Sequence, residues 1–404
     1  MVEVPEFNNK TEQRSGIASI ITFILLFIFV ICLSGYVYLR SKGINIAEIG
    51  IKNVFLDLIG SQVKSDENTK PVVIEYDVTS HPAFCAYDNT LIKCTGDYVI
   101  GLDKNGNDVW SVPVNITNPL LKTNGTELLV AGIDSKEIHV IRGKSVKWSA
   151  KFEENILNAH ISKDGYVTVV SEAKGYRGQV RVFDPSGIEM FKRFVAENFI
   201  LSAEVSPSGN QFLINYIDAS GIEAVSYIDF FNVKEIMSGK KEPVAGMKLD
   251  EKDIFPSIWQ LDDDSFFTIG SSIAVYVDKD RNKKWTKEDS KIYSSGVIQN
   301  KYLALAVVEM GTRNVSDSKI SILNKHGEEI ASYPVKEEVR NIQIYDDIIA
   351  VNTGREVHII KGKDELAGKY SFKSDVTSIY FLNRFQVAVV TNNSVEIITL
   401  TDIF

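Results

Sequence analysis

Asp278, Asp280 and Asn282 reproduce the D-x-D-x-N opening of a calcium-binding EF-hand loop. Lys283, however, stands where that loop needs a glycine, and no helical pattern follows, so a hairpin turn is the expected structure. Asp262, Asp263 and Asp264 place three carboxylates in a row, a grouping that suits a cation, although a solvated loop is the plainer expectation. His139 and His358 resemble a pair of zinc ligands until their surroundings are compared. The segments EIHVIRGK (137–144) and EVHIIKGK (356–363) match at every position by identity or conservative exchange. The two histidines are therefore equivalent positions in separate repeats, expected far apart and sharing no ion. Cys85 and Cys94 flank the turn AYDNTLIK, so antiparallel strands would bring them towards disulfide range and an oxidising exterior would suit a pair. Two free thiols in strands is the equal alternative. No G-x-S-x-G, P-loop, C-x-x-C or H-E-x-x-H pattern occurs. Asn115, Asn124 and Asn314 begin glycosylation sequons, which mean little if the source is bacterial. No residue is expected to be catalytic, to bind a cofactor or to hold a metal.

The elements that would position such groups come from periodicity. From residue 71 onward, short alternating runs rich in Val, Ile, Tyr and Phe are punctuated by Asn-Gly, Asp-Gly and Ser-Gly, the pattern of strands joined by tight turns. One unit of strand, turn and strand recurs: DYVIGLDKNGNDVWSV from Asp97, EIHVIRGKSVKWSA from Glu137 and GQVRVFDPSGIEMFKR from Gly178. Weaker copies are AVSYIDFFNVKEI, SIAVYVDKDRNKKWT, SKISILNKHGEEIASY and EVHIIKGKDELAGKY, with a half-copy, SVEIITLTDIF, at the end. A second strand pair precedes each hairpin, as in ISKDGYVTVVSE and VSPSGNQFLINYI. About eight units of four strands, at intervals of roughly 37–48 residues, give an all-β, eight-bladed β-propeller, with seven blades as the alternative. The last unit supplies three strands. PVVIEYDVT (71–79) is expected to complete it as the outer strand, which removes the open edges of the ring.

Ahead of the propeller, residues 17–39 run without a charge, a proline or an amide, long enough to cross a bilayer as one helix. Tyr36 and Tyr38 sit at one end, followed directly by Arg40 and Lys42, and no small-x-small cleavage site follows. Cys32 lies inside this stretch and reads as a small apolar residue. The expected order is a cytoplasmic tail (1–16), a retained signal-anchor span (17–39), a juxtamembrane amphipathic helix and linker (40–70) and the propeller (71–404). The tail is expected inside and the propeller outside, because short tails ahead of a single anchor usually stay in the cytoplasm. A formal net charge of -9 argues against a nucleic-acid surface.

LDKNGNDVWSV, VDKDRNKKWT and VIRGKSVKWSA resemble the repeat of PQQ-like propellers, in which a strand, an aspartate-to-glycine turn and a Trp recur in each blade. The resemblance spans roughly residues 71–404. It implies that Trp110, Trp148 and Trp285, with Phe191 as a substitute, pack between adjacent blades. It does not imply the quinoprotein chemistry, since the vicinal cysteines that hold PQQ in those enzymes are absent. The anchor-plus-propeller layout is similar to that of membrane-anchored propellers of Gram-positive bacteria. The expected function is thus a non-catalytic, extracytoplasmic module that binds a protein or cell-wall partner in the bacterial envelope, with no cofactor. A ligand sensor or enzyme using the central channel is the alternative, and self-association through the span and the 44–63 helix is a third reading.

Overall fold

The computed structural model describes residues 71–249, 253–308, 318–362 and 364–400. The expected span and amphipathic helix lie outside these residues. Among the described residues no helix is long and apolar enough to cross a membrane.

Among the described residues, thirty-two strands form eight antiparallel sheets of four. Blade 1 covers 83–113, blade 2 119–151, blade 3 156–195, blade 4 199–248, blade 5 257–288, blade 6 291–334 and blade 7 341–371. Blade 8 takes three strands from 376–399 and its outer strand, Val72–Glu75, from the other end of the propeller. In that pairing Val72 lies opposite Ile397 and Glu75 opposite Ser394. The eight-bladed ring and its closure by the early strand are as the sequence predicts.

Burial explains why the strands differ in pattern. The second strand of a blade is sandwiched between its neighbours on both faces. Glu127–Gly132, Val167–Ser171 and Ile348–Asn352 are accordingly buried at every position. Outer strands face solvent and alternate, as Ser145–Lys151 does. The core therefore lies between blades rather than in one centre. Leu129, Ile138 and Val140 of blade 2, for example, pack on Ile156, Val167 and Val169 of blade 3. Full burial of one such side chain stabilises the seam by about 1.5–3 kcal/mol. The closing seam is built the same way, with Phe84, Leu91 and Leu102 against Val390, Val395 and Ile397.

Two expectations change in detail. The unit AVSYIDFFNVKEI is not a tight hairpin: after strand Val225–Asn232 the chain forms a short helix, α1 (Val233–Met237). The Asn232 side chain caps it by accepting from the N–H groups of Lys234 and Glu235, and this local bond competes with a turn. The fourth strand, Ala245–Lys248, comes only after that detour. Cys85 and Cys94 are both free, buried thiols. The register sets Cys85 opposite Ile92 and Cys94 opposite Ala83, which makes the two cysteines diagonal neighbours, farther apart than a disulfide spans. Burial pushes both thiols up, Cys94 to about 12. A thiol reagent is expected to leave both unlabelled in the native protein and to label both after denaturation without reductant. Labelling that requires reductant would reveal a disulfide instead.

Candidate functional site

Each residue the sequence singles out now has a position. Asp278 opens the five-residue turn between Ile273–Val277 and Lys283–Glu288. Its carboxylate accepts from the Asn282 N–H at 2.8 Å and lies 2.9 Å from Lys284 Nζ. What desolvation it suffers pushes this carboxyl up, but the hydrogen bonds and Lys284 outweigh it and hold it at about 2. The same turn recurs at Asp103, Asp184 and Asn324, each accepting from N–H groups two and four residues on. Its fourth residue needs a positive φ and is Gly106, Gly187 or Gly327, with Arg281 (φ 67°) in blade 5. The carboxylates of the EF-hand look-alike thus serve a turn.

Trp110, Trp148, Phe191 and Trp285 occupy one equivalent position, each paired with a third-strand residue (Gly101, Val140, Val182 and Tyr276) just where the fourth strand carries a bulge. Trp148 packs 5.7 Å from Phe183 of blade 3, and the Trp285 indole donates to Lys325 O of blade 6. Packing between blades is seen directly for these two and for Phe191, whose ring lies 5.5 Å from Phe212 and 5.4 Å from Phe231 of blade 4. His139 lies in blade 2 and His358 in blade 7, and they share no site. Asn124 spends its side chain in a turn, accepting from the Thr126 and Glu127 N–H groups and donating to Ser162 O. Asn115 lies in the linker between blades 1 and 2, and Asn314 outside the described residues.

The carboxylate run 262–264 does meet cations, and they are lysines. Asp262 lies 3.2 Å from Lys163 of blade 3, and Asp263 2.6 Å from Lys325 of blade 6. Asp264 accepts from the Ser208 hydroxyl of blade 4. Burial pushes the Asp263 carboxyl up, but bonds from Lys325 and Ser265 outweigh it and leave it lowered. The Lys163–Asp262 pair passes over blade 4, from blade 3 to blade 5. It bridges the inner rim on the face where the first strands end.

The opposite face, where the first strands begin, is open. A cavity of about 1200 Å³ lies against the first strands of blades 5, 6 and 7, Ser257–Gln260, Lys291–Ile298 and Asn341–Tyr345. The Trp259 indole, 38% exposed, donates to Ser295 Oγ at 2.9 Å, and Ser294 Oγ accepts from the Ile342 N–H. Gly296 lets blades 6 and 7 approach, since a Cβ there would stand 2.6 Å from Ile344. Tyr293 Oη and Asn341 Oδ1 are buried in this wall without a hydrogen-bond partner. Asp253, at the edge, is already engaged by the N–H groups of Ile254, Ser272 and Ile273 and by the Ser271 hydroxyl. The lining holds no histidine, cysteine or lysine. Such a wall, with aromatic rings, unpaired polar atoms and only the carboxylates of Glu223 and Asp253 as charged groups, suits amide-rich chains better than proton transfer. A second cavity of about 500 Å³ faces the first strands of blades 2 to 5. There His160 Nε2 stands 4.0 Å from Glu204, and burial holds this imidazole below its ordinary range.

No sequence argument pointed to Trp259, Tyr293, Ser295 or Asn341. The available signal was polar and aromatic residues in first strands (SIWQ, KIYSSGVI, NIQIY), and it becomes legible only when those strands are known to be neighbours.

Ring closure, blade count and inter-blade tryptophans define a β-propeller protein. The chain belongs to DUF5711, a family of unknown function whose profile matches residues 63–400. No curated protein matches it in sequence. Among solved structures it is similar to BamB from Moraxella catarrhalis, at 13% identity and a TM-score of 0.52 over 80% of this chain and 97% of that one. It is also similar to the C-terminal WD40 domain of Sif2 (9%, TM-score 0.58, 82% and 97%). A third is Sqt1 of Chaetomium thermophilum bound to the N-terminus of the ribosomal protein L10 (11%, TM-score 0.56, 82% and 100%). These likenesses concern the fold.

Proposed function

We propose that the protein is a membrane-anchored, extracytoplasmic binding module of the bacterial envelope, which engages a protein partner through the open mouth over blades 5, 6 and 7. The observation that carries this reading is Trp259, exposed over a large cavity whose wall holds unpaired polar atoms and no histidine, cysteine or lysine. A propeller that holds the terminus of a protein, as Sqt1 holds that of L10, is the matching precedent among proteins of this shape. Anchoring rests on residues 17–39 alone.

Crosslinking in intact cells, followed by purification through a C-terminal tag, tests the reading. A reproducible partner is expected with the wild-type chain and with Lys104→Glu, an exposed change in a turn away from this cavity, and is expected to be lost with Trp259→Ala. Equal recovery from Trp259→Ala would remove the mouth from the interaction. Protease added to the same intact cells is expected to destroy the tagged full-length protein, and protection until lysis would place the propeller inside. The alternative, a ligand sensor or enzyme in the channel, has His160 and Glu204 in its favour. It gains if His160→Gln abolishes a cellular phenotype that Trp259→Ala leaves intact.

A further inference from the structure

The repeated E-x-H element differs between its two copies in a way that chemistry can use. In blade 7, Glu356 and His358 stand on the third strand, and Glu337 reaches them from the linker between blades 6 and 7. One ligand atom from each lies within 4.8 Å of the others. His358 is wholly buried, and neither ring nitrogen has a hydrogen-bond partner, although Nε2 faces Glu356 Oε2 at 3.5 Å. An imidazole buried with Nδ1 unpaired and Nε2 held only by a long contact to Glu356 costs about 1–3 kcal/mol for the lost partner, so the position calls for something the protein does not itself supply. The Tyr333 ring packs edge-on against this imidazole, with centroids 6.2 Å apart, and fixes its plane. Ser371 Oγ donates to Glu356 Oε1 at 3.3 Å and orients that carboxylate from behind.

Blade 2 provides an internal comparison. There His139 Nε2 lies 3.8 Å from Glu137 Oε2, the same pair in the same register. No third His, Cys, Asp or Glu joins it among the described residues, because the three-residue group in blade 7 is the sole such group found there.

We infer that Glu337, Glu356 and His358 form a site for a divalent first-row transition metal of the zinc type, which ties the linker after blade 6 to the third strand of blade 7. Imidazole nitrogen with two carboxylate oxygens is a common zinc ligand set, and three protein ligands leave a fourth position for water. Calcium and magnesium favour oxygen-only shells of six or more ligands, which this group does not offer. Ligands on a tetrahedral zinc lie about 3.3 Å apart, so the group must contract by up to about 1.5 Å. Glu337 and Glu356 are half-buried and have the freedom to do so. Lys369 Nζ, 3.9 Å from Glu356 Oε2, is the cation that the metal would displace from that carboxylate.

The test uses the full-length protein in detergent, stripped by chelator and titrated with Zn²⁺, and with Co²⁺, whose visible absorption reports tetrahedral coordination. The wild-type chain is expected to bind one equivalent and to melt at a higher temperature with the metal. Glu337→Gln, a change at a half-buried linker position that the fold tolerates, is expected to weaken binding at least about tenfold and to abolish the rise in melting. His358→Gln is expected to do the same where it folds. Glu137→Gln, in the blade 2 copy, is expected to change nothing. The inference is overturned if no saturable binding is found, if Glu337→Gln binds as the wild type does, or if Glu137→Gln is the change that removes the ion.

Discussion

Deleting residues 71–77 from the full chain is expected to lower stability by about 3–5 kcal/mol and to make the protein self-associate. The deletion removes the outer strand of blade 8, whose four residues pair with Ser394–Ile397. It also removes Ile74, which packs beneath Gly106 of blade 1. Tyr76 goes as well; its hydroxyl donates to Thr391 O at 2.6 Å, and its ring meets Phe84 edge-on at 5.0 Å. A few backbone hydrogen bonds at about 1 kcal/mol each and two half-buried side chains together give the stated cost. The freed edge of Ser394–Thr399 then offers unpaired backbone groups to a second copy. Chemical denaturation and light scattering read the two effects. Should the deletion prove too severe to purify, Tyr76→Phe is expected to cost about 1 kcal/mol with the ring closed. A deletion variant that stays monomeric and unfolds at the wild-type midpoint would mean that the strand does not close the ring.

Gly187→Ala is expected to cost about 3 kcal/mol and Gly125→Ala about 1 kcal/mol, although the two glycines have nearly the same backbone (φ 90° and 93°). Both pay the strain of a positive φ, about 1 kcal/mol. They differ in what a methyl group would meet. At Gly125 nothing lies within 4 Å, whereas at Gly187 the new Cβ would stand 2.7 Å from the Trp148 indole of the preceding blade. Trp148 has little room to retreat, since Phe183 lies against it. Equal costs for the two variants, measured by urea unfolding, would show that the tryptophan does not seal the seam between blades 2 and 3.

The ring was legible because a blade is a local object. Four strands and their turns occupy one continuous stretch, so the period, the turn glycines and the inter-blade tryptophans all appear in order along the chain. The closing strand was legible for a related reason: the last unit lacks one strand, and PVVIEYDVT has no other place in the count. Blade 4 was misread where a single side chain, Asn232, decides between a turn and a helix, which is a local competition of about 1 kcal/mol. The mouth was not legible at all. Trp259, Ser295 and Asn341 come together because three first strands stand side by side in the ring, and nothing in any one strand announces the other two. The group around His358 was hidden similarly. The repeat displays Glu356 and His358, but the third member lies in a linker that pattern matching passes over. The aspartates were legible as structure rather than chemistry: Asp278 serves the turn that the sequence predicts, and Asp262 and Asp263, expected in a solvated loop, meet lysines of this same chain.

The pairing of Val72–Glu75 with Ser394–Thr399 also sets a schedule. During synthesis the first strand of the propeller emerges long before the strand it pairs with. At translation rates of about 5–20 residues per second, more than three hundred intervening residues keep it waiting for tens of seconds. Throughout that time seven blades are able to stack in order while the seam between the last and the first stays open. The nascent protein is therefore an open arc with a bare edge until Ser394–Thr399 is made. A chaperone or a slow unfolding step has its greatest leverage at that seam, because whatever holds the two ends together decides when the ring exists.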